Sequence, residues 1–413
     1  LILQILLVYF FVLLFLAGIV ILVYGALRDM LSPQVFFMAL GLKVVSGVLL
    51  GLLYSHYYCS GGDTFAYFDE AVGLASLDSS AFWSEITAST LVSEPVRAIW
   101  FMRLVAVFIY VTGADYWLTT VVFSVVSFLG TVYVVRAFSL WDRTFKWPAV
   151  LAFMFVPSVV FWSSGLLKES LGGAALCSIV GFYAVFRSSR QHGVGDVFFM
   201  VLSILYLGIF KYYIAAMLVP AVVFLFLIQF SKSWLPYWSE WQRASLIVGM
   251  LAFPVYVALT WLSPNFQMSR LIAVIQFNHE LILSQSTTST LEVLTVTGTF
   301  LDWGINGIYY IFSGLFRPFL FESWAFPVWL SAIENTLLLL ITFFALSRKG
   351  GVKKLFKIEC IIAIVYVASC AALLSYSVPN LGTIARYKVY YFPVLILLLA
   401  SATVGSFRLG SQK

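Results

Sequence analysis

Apolar stretches near twenty residues long recur from one end of the chain to the other, and that spacing constrains the fold more than any other feature. A helix needs about 20 apolar residues to cross the hydrocarbon of a bilayer, and in lipid every backbone polar group must be satisfied within helices or closed barrels. We read such segments at about 1–27, 34–57, 116–135, 148–167, 170–186, 195–210, 213–230, 244–262, 327–346, 358–376 and 389–407. A shorter one, 98–112, carries Arg103. The expected fold is therefore an all-α polytopic bundle of about 11–12 spans in a single transmembrane domain, 1–413. The composition agrees: 62% of residues are hydrophobic and 10% charged, against roughly 25% charged in soluble domains, which excludes a cytosolic enzyme and a disordered chain. Aromatic residues at 18% suit many membrane–water interfaces. The first run exceeds a signal-peptide core and reads as a span.

Net charge is +6, but the bases do not gather on one domain, so nucleic acid is not an expected partner. Cys177, Cys360 and Cys370 lie in apolar segments and Cys59 stands alone, which gives no disulfide framework. His56, His192 and His279 show no ligand spacing, so no metal site is expected from them.

Lys and Arg orient the spans. Arg348, Lys349, Lys353, Lys354 and Lys357 form a basic turn placed in the cytoplasm. Alternating outward from it gathers fifteen of the 24 bases on that side against five acids. The parity holds if 98–112 lies tilted or half-inserted on the outer face. Two long loops then face outward, 58–97 and 263–326. The first suits short amphipathic helices lying on the membrane. Long loops on one face of a bundle are where function sits, and these two form the expected cover of an active site. No internal repeat supports an inverted-repeat transporter.

Four places carry chemistry. In Gly61-Gly62-Asp63-Thr64-Phe65-Ala66-Tyr67, a carboxylate just beyond a span can take a proton from an incoming hydroxyl; the plainer reading is a solvated turn. In Pro157 to Glu169, the charged pair Lys168-Glu169 closes an apolar segment, where charges are costly and functional by default; the plainer reading is a snorkelling ion pair. Lys168, Lys211, Arg317, Arg386 and Lys388 lie on the base-poor side and invite an anionic partner, a lipid phosphate or pyrophosphate, or else pair with outer acids. Glu334, inside an apolar segment, faces the bundle or a cavity, and Asn380 to Lys388 forms a turn before the last span.

These motifs resemble the GT-C superfamily of integral-membrane glycosyltransferases, many-span enzymes with juxtamembrane helices on the outer face. Asp63 followed by Tyr67 is similar to the acid of that superfamily's first outer loop, and Pro157 with Glu169 to a second acid following a proline-containing span. The resemblance implies transfer of a sugar from a polyprenyl-phosphate carrier to an acceptor, in a bacterial cytoplasmic membrane. Asp63 would be the base, Glu169 would orient the acceptor or share a divalent cation, and Lys168, Lys211 and Arg386 would hold the carrier phosphate. The chain departs from the pattern in an extra N-terminal span, in Glu rather than Asp at the second acid, and in showing no soluble C-terminal domain. Three other readings stay open: a polymerase joining lipid-linked repeat units of a surface polysaccharide, a transporter or flippase using Lys43 and Glu334, and a non-catalytic subunit of a membrane-protein complex.

Overall fold

The computed structural model describes residues 2–57, 62–88, 96–188, 190–257, 300–322, 325–348 and 351–403, with a few isolated positions between 273 and 291. Its regular elements are helices, and no strand occurs among the described residues. Among the described residues, seven helices are long and apolar enough to cross a membrane, or eight if one bent pair counts as a span. The chain is a multi-pass membrane protein. It divides into two compact units, 1–215 and 216–413.

Unit 1 opens with α1 (Ile2–Gly25), which exposes Leu6, Phe10, Phe11, Leu14 and Phe15, as a helix facing lipid does. α2 (Pro33–Leu52) starts at Pro33, whose missing N–H costs nothing at a helix start. Two short helices follow, α3 (Gly62–Ala75) and α4 (Ser79–Thr87). Their apolar sides (Phe65, Tyr67, Phe68, Phe82) pack with Phe101, Val105, Ala106 and Ile109 of α5 (Val96–Thr112). α5 is not among the candidate spans, and its buried Arg103 donates to the Ala88 carbonyl at 2.9 Å.

α6 (Tyr116–Trp141) is capped by Asp115, which accepts from the Leu118 N–H and from the Tyr9 hydroxyl. It lies against α9 (Lys168–Arg187) through small residues: a methyl group at Gly130 would stand 2.6 Å from the Ala174 Cα. Such close approach lets dispersion hold helices together where lipid removes the hydrophobic drive.

The segment 148–167, expected as a span, is instead broken. It comprises α7 (Lys146–Val150), a π-turn at Leu151–Phe155, α8 (Pro157–Trp162) and an irregular stretch before α9. Pro157 cannot donate to a carbonyl in the preceding turn, and Gly165 takes φ +71°. Residues 162–170 are all buried. Irregular backbone at membrane depth is tolerated when protein covers it.

α10 (Val194–Phe210) measures about 26 Å by helical rise, short of the ~30 Å hydrocarbon core. α11 (Tyr212–Trp234) passes from unit 1 into unit 2, where α12 (Glu240–Val257) follows. The remaining helices are α13 (Phe300–Phe316), α14 (Phe326–Ser347), α15 (Gly351–Leu355), α16 (Ile358–Ser377), α17 (Leu381–Tyr387) and α18 (Phe392–Thr403). α13 and α16 run antiparallel, with Ser375 Oγ donating to the Tyr310 carbonyl at 2.6 Å and Gly314 against the Ala371 backbone. The last expected span, 389–407, is entered through a 62° bend between Leu381–Tyr390 and Phe392–Ala400, and its residues 404–407 lie outside the described ones. The expected outer loop 263–326 lies largely outside the described residues apart from α13 and the turn after it. Residues 258–262 of the expected span 244–262 lie outside them too.

Candidate functional site

In unit 1 the broken helix delivers the chemistry. The Gly165 N–H donates to Ser124 Oγ at 2.9 Å, and a methyl group at Gly47 would clash with that Oγ and stand 3.0 Å from the Gly165 N. α2 and the break therefore touch backbone to backbone. At that break Lys43, 2% exposed, donates to Ser163 Oγ at 2.5 Å, and Ser163 donates to the Val159 carbonyl.

α9 begins just beyond, with Glu169 in its first turn, where the helix dipole favours an anion. α9 and α10 form an antiparallel hairpin, so the C-terminus of α10 meets the N-terminus of α9. Lys211 ends α10, where the dipole favours a cation, and its Nζ lies 2.6 Å from Glu169 Oε1. Both side chains are buried, at 6% and 0% exposure. Tyr206, one turn earlier on α10, donates its hydroxyl to the Lys168 carbonyl at 2.9 Å. Lys168 Nζ stands 4.6 Å from the centre of the Tyr67 ring and 5.9 Å from that of Phe101. Cations bind aromatic faces at this range. Tyr67 lies one turn along α3 from Asp63, about 6 Å by helical rise. Asp63 is exposed at the N-terminus of α3, behind Gly62 with φ +49°, and Thr64 bonds the Tyr116 hydroxyl at 2.8 Å.

Asp63, Tyr67, Lys168, Glu169 and Lys211 thus gather at one end of unit 1. Among the described residues of this unit, the buried charged side chains are Lys43, Arg103, Lys168 and Lys211 against Glu169.

The other three predicted residues are in unit 2. Lys388 is 1% exposed, and its three N–H bonds go to the Leu315 carbonyl (3.2 Å), the Arg317 carbonyl (2.9 Å) and Asn335 Oδ1 (2.6 Å). Asn335 donates in turn to the Pro318 carbonyl at 3.2 Å. Lys388 therefore ties off the C-terminal carbonyls of α13. Arg317 pairs with Glu322 and donates to the Tyr309 hydroxyl at 2.7 Å. Burial alone works against its charge, but Glu322 and Tyr309 more than offset this and hold its pKa above the ordinary arginine value. Arg386 is half-buried on the last turn of α17, and Glu334 is half-buried one residue before Asn335.

Sequence reasoning missed Tyr206, Ser124 and Asn335 as partners of these groups. A lone tyrosine or serine in an apolar helix carries no signal of its own; only its neighbours across the bundle give it a role. Among the described residues no group of three or more His, Cys, Asp and Glu side chains is placed to hold a metal ion.

Fold and site together define a multi-pass helical membrane protein with a charged cluster built into a buried helix break. The chain matches no family model, no curated protein and no solved structure.

Proposed function

We propose that the chain is a membrane-embedded glycosyltransferase of GT-C type, moving a sugar from a polyprenyl-phosphate donor to an acceptor at the outer face of a bacterial cytoplasmic membrane. The observation that carries this reading is the cluster of Tyr67, Lys168, Glu169 and Lys211, with the exposed Asp63 one turn before Tyr67 on α3. An acid beside a cationic, largely buried cluster suits displacement of a phosphate from a sugar.

In this reading Asp63 takes the proton of the acceptor hydroxyl. The hydroxyl oxygen bonds to the anomeric carbon, and the bond from that carbon to the phosphate oxygen breaks, its electron pair leaving with the phosphate. Lys168 stabilises the departing charge, the electrostatic contribution that usually dominates such steps. Glu169 fixes Lys211 and so sets the field around the leaving group. A single displacement inverts the anomeric centre. Lys388 serves the fold rather than the donor, because its N–H bonds end on protein acceptors.

The test is transfer of labelled sugar from a polyprenyl-phosphate donor by the full chain in nanodiscs. Asp63→Asn should lose at least about a hundredfold in rate, the scale of general-base catalysis, with melting unchanged. Wild-type turnover in that variant overturns the reading.

One observation favours a second reading, transport. Unwound backbone beside a buried charge, as at Ser163 and Lys43, is how transporters build substrate sites. Flux into proteoliposomes without covalent product, lost in Lys43→Met, would select it.

A further inference from the structure

Residues 348–359 carry Arg348, Lys349, Lys353, Lys354 and Lys357 against one acid, Glu359. They link α14 to α16 within unit 2. Two of these cations are engaged at a third helix end: Arg348 donates to the Thr403 carbonyl at 2.6 Å and Lys354 to the Ala402 carbonyl at 3.3 Å, both on the last turn of α18. The C-terminus of α14, the N-terminus of α16 and residues Ala402 and Thr403 of α18 therefore meet at one level, and because α14 and α16 are each long and apolar enough to span, that level is a membrane boundary.

On the short α15 and just after it, Val352 and Phe356 stand one turn apart, so they share a face, and they are 46% and 64% exposed. Phe343 and Phe344 on the last turn of α14 are exposed as well. Lys353 is exposed on the adjacent face, with Lys357 one turn further on. Bare apolar side chains beside lysines at the end of a span fit a lipid surface and not a soluble partner: the rings enter the acyl region while the ammonium groups reach the phosphates.

We propose that this turn is a binding site for anionic phospholipid headgroups, with Lys353 and Lys357 holding the phosphodiester and Val352 and Phe356 seated below it. The proposal is independent of the sugar-transfer reading.

The experiment compares the full chain in phosphatidylcholine nanodiscs with and without phosphatidylglycerol, reading lipid retained in native mass spectrometry and the melting midpoint. Wild type should retain phosphatidylglycerol preferentially and melt higher in its presence. Lys353→Glu/Lys357→Glu, which spares the two cations bound to α18, should lose at least about tenfold of that retention, each lysine near an anionic surface being worth roughly fivefold. Its melting midpoint should be the same with and without phosphatidylglycerol. Should it misfold, Lys353→Gln/Lys357→Gln serves instead, with the same loss of preference expected. Equal retention by wild type and variant overturns the proposal. So does an identical stabilisation of wild type by inorganic phosphate in phosphatidylcholine.

Discussion

Glu169 and Lys211 face each other at 2.6 Å with almost no exposure, so neither can lose the other without leaving a charge stranded. Removing one partner of a buried pair typically costs ~3–5 kcal/mol, whereas removing both is far milder. Glu169→Gln and Lys211→Met should each be destabilising on that scale, and the double variant should recover much of the loss. Denaturant or thermal unfolding of the four proteins checks this; additive losses would mean that the two groups are energetically separate. Asn335 offers a parallel case, since its side chain both accepts from Lys388 and donates to the Pro318 carbonyl. Asn335→Leu should cost about 1–3 kcal/mol by leaving a buried ammonium short of an acceptor, read in the same unfolding experiment.

At the scale of elements, the break between α8 and α9 decides where the charges sit. Gly165 takes a conformation that L side chains adopt at a cost of about 1–2 kcal/mol, and its Cα lies against α2. Gly165→Ala should lower the melting midpoint and, by shifting the start of α9, reduce the proposed sugar transfer more than stability alone would. A variant with normal melting and normal transfer would show that the break does not position Lys168 and Glu169. The pairing of α6 with α9 rests on a different glycine. Gly130→Val should force the two helices apart and destabilise unit 1, with Ala174→Gly in the same chain restoring part of the loss, because the clash is with the Ala174 Cα and Cβ.

For the whole molecule, α14 and α16 are joined by the basic turn, so Glu322, just before α14, and Lys353, in the turn, belong to opposite membrane faces if α14 is a span. By the excess of bases we expect the turn to face the cytoplasm. Glu322→Cys should react with a membrane-impermeant maleimide in intact cells, and Lys353→Cys only after permeabilisation. The reverse pattern would invert the assignment. The membrane character of the chain, most of its long helices and the amphipathic nature of 62–87 were legible in the sequence, because lipid acts on each segment separately and a run of apolar residues is a local fact. The charges of Lys168 and Glu169 at the edge of an apolar run were legible as well, although Glu169 pairs with Lys211. Three things were not. The break at 157–167 looks like a span by composition, and only α2 and α6 closing over it make the irregular backbone tolerable. Lys388 looks like a phosphate ligand by side and sign, and only the carbonyls ending α13 show where its N–H bonds go. Glu169 looks like a second catalytic acid, and only the return of α10 along α9 brings Lys211 against it. Hydropathy is a sum over neighbours in the chain; a hydrogen bond to a buried charge comes from residues tens of positions away, and nothing short of the packed helices brings them together.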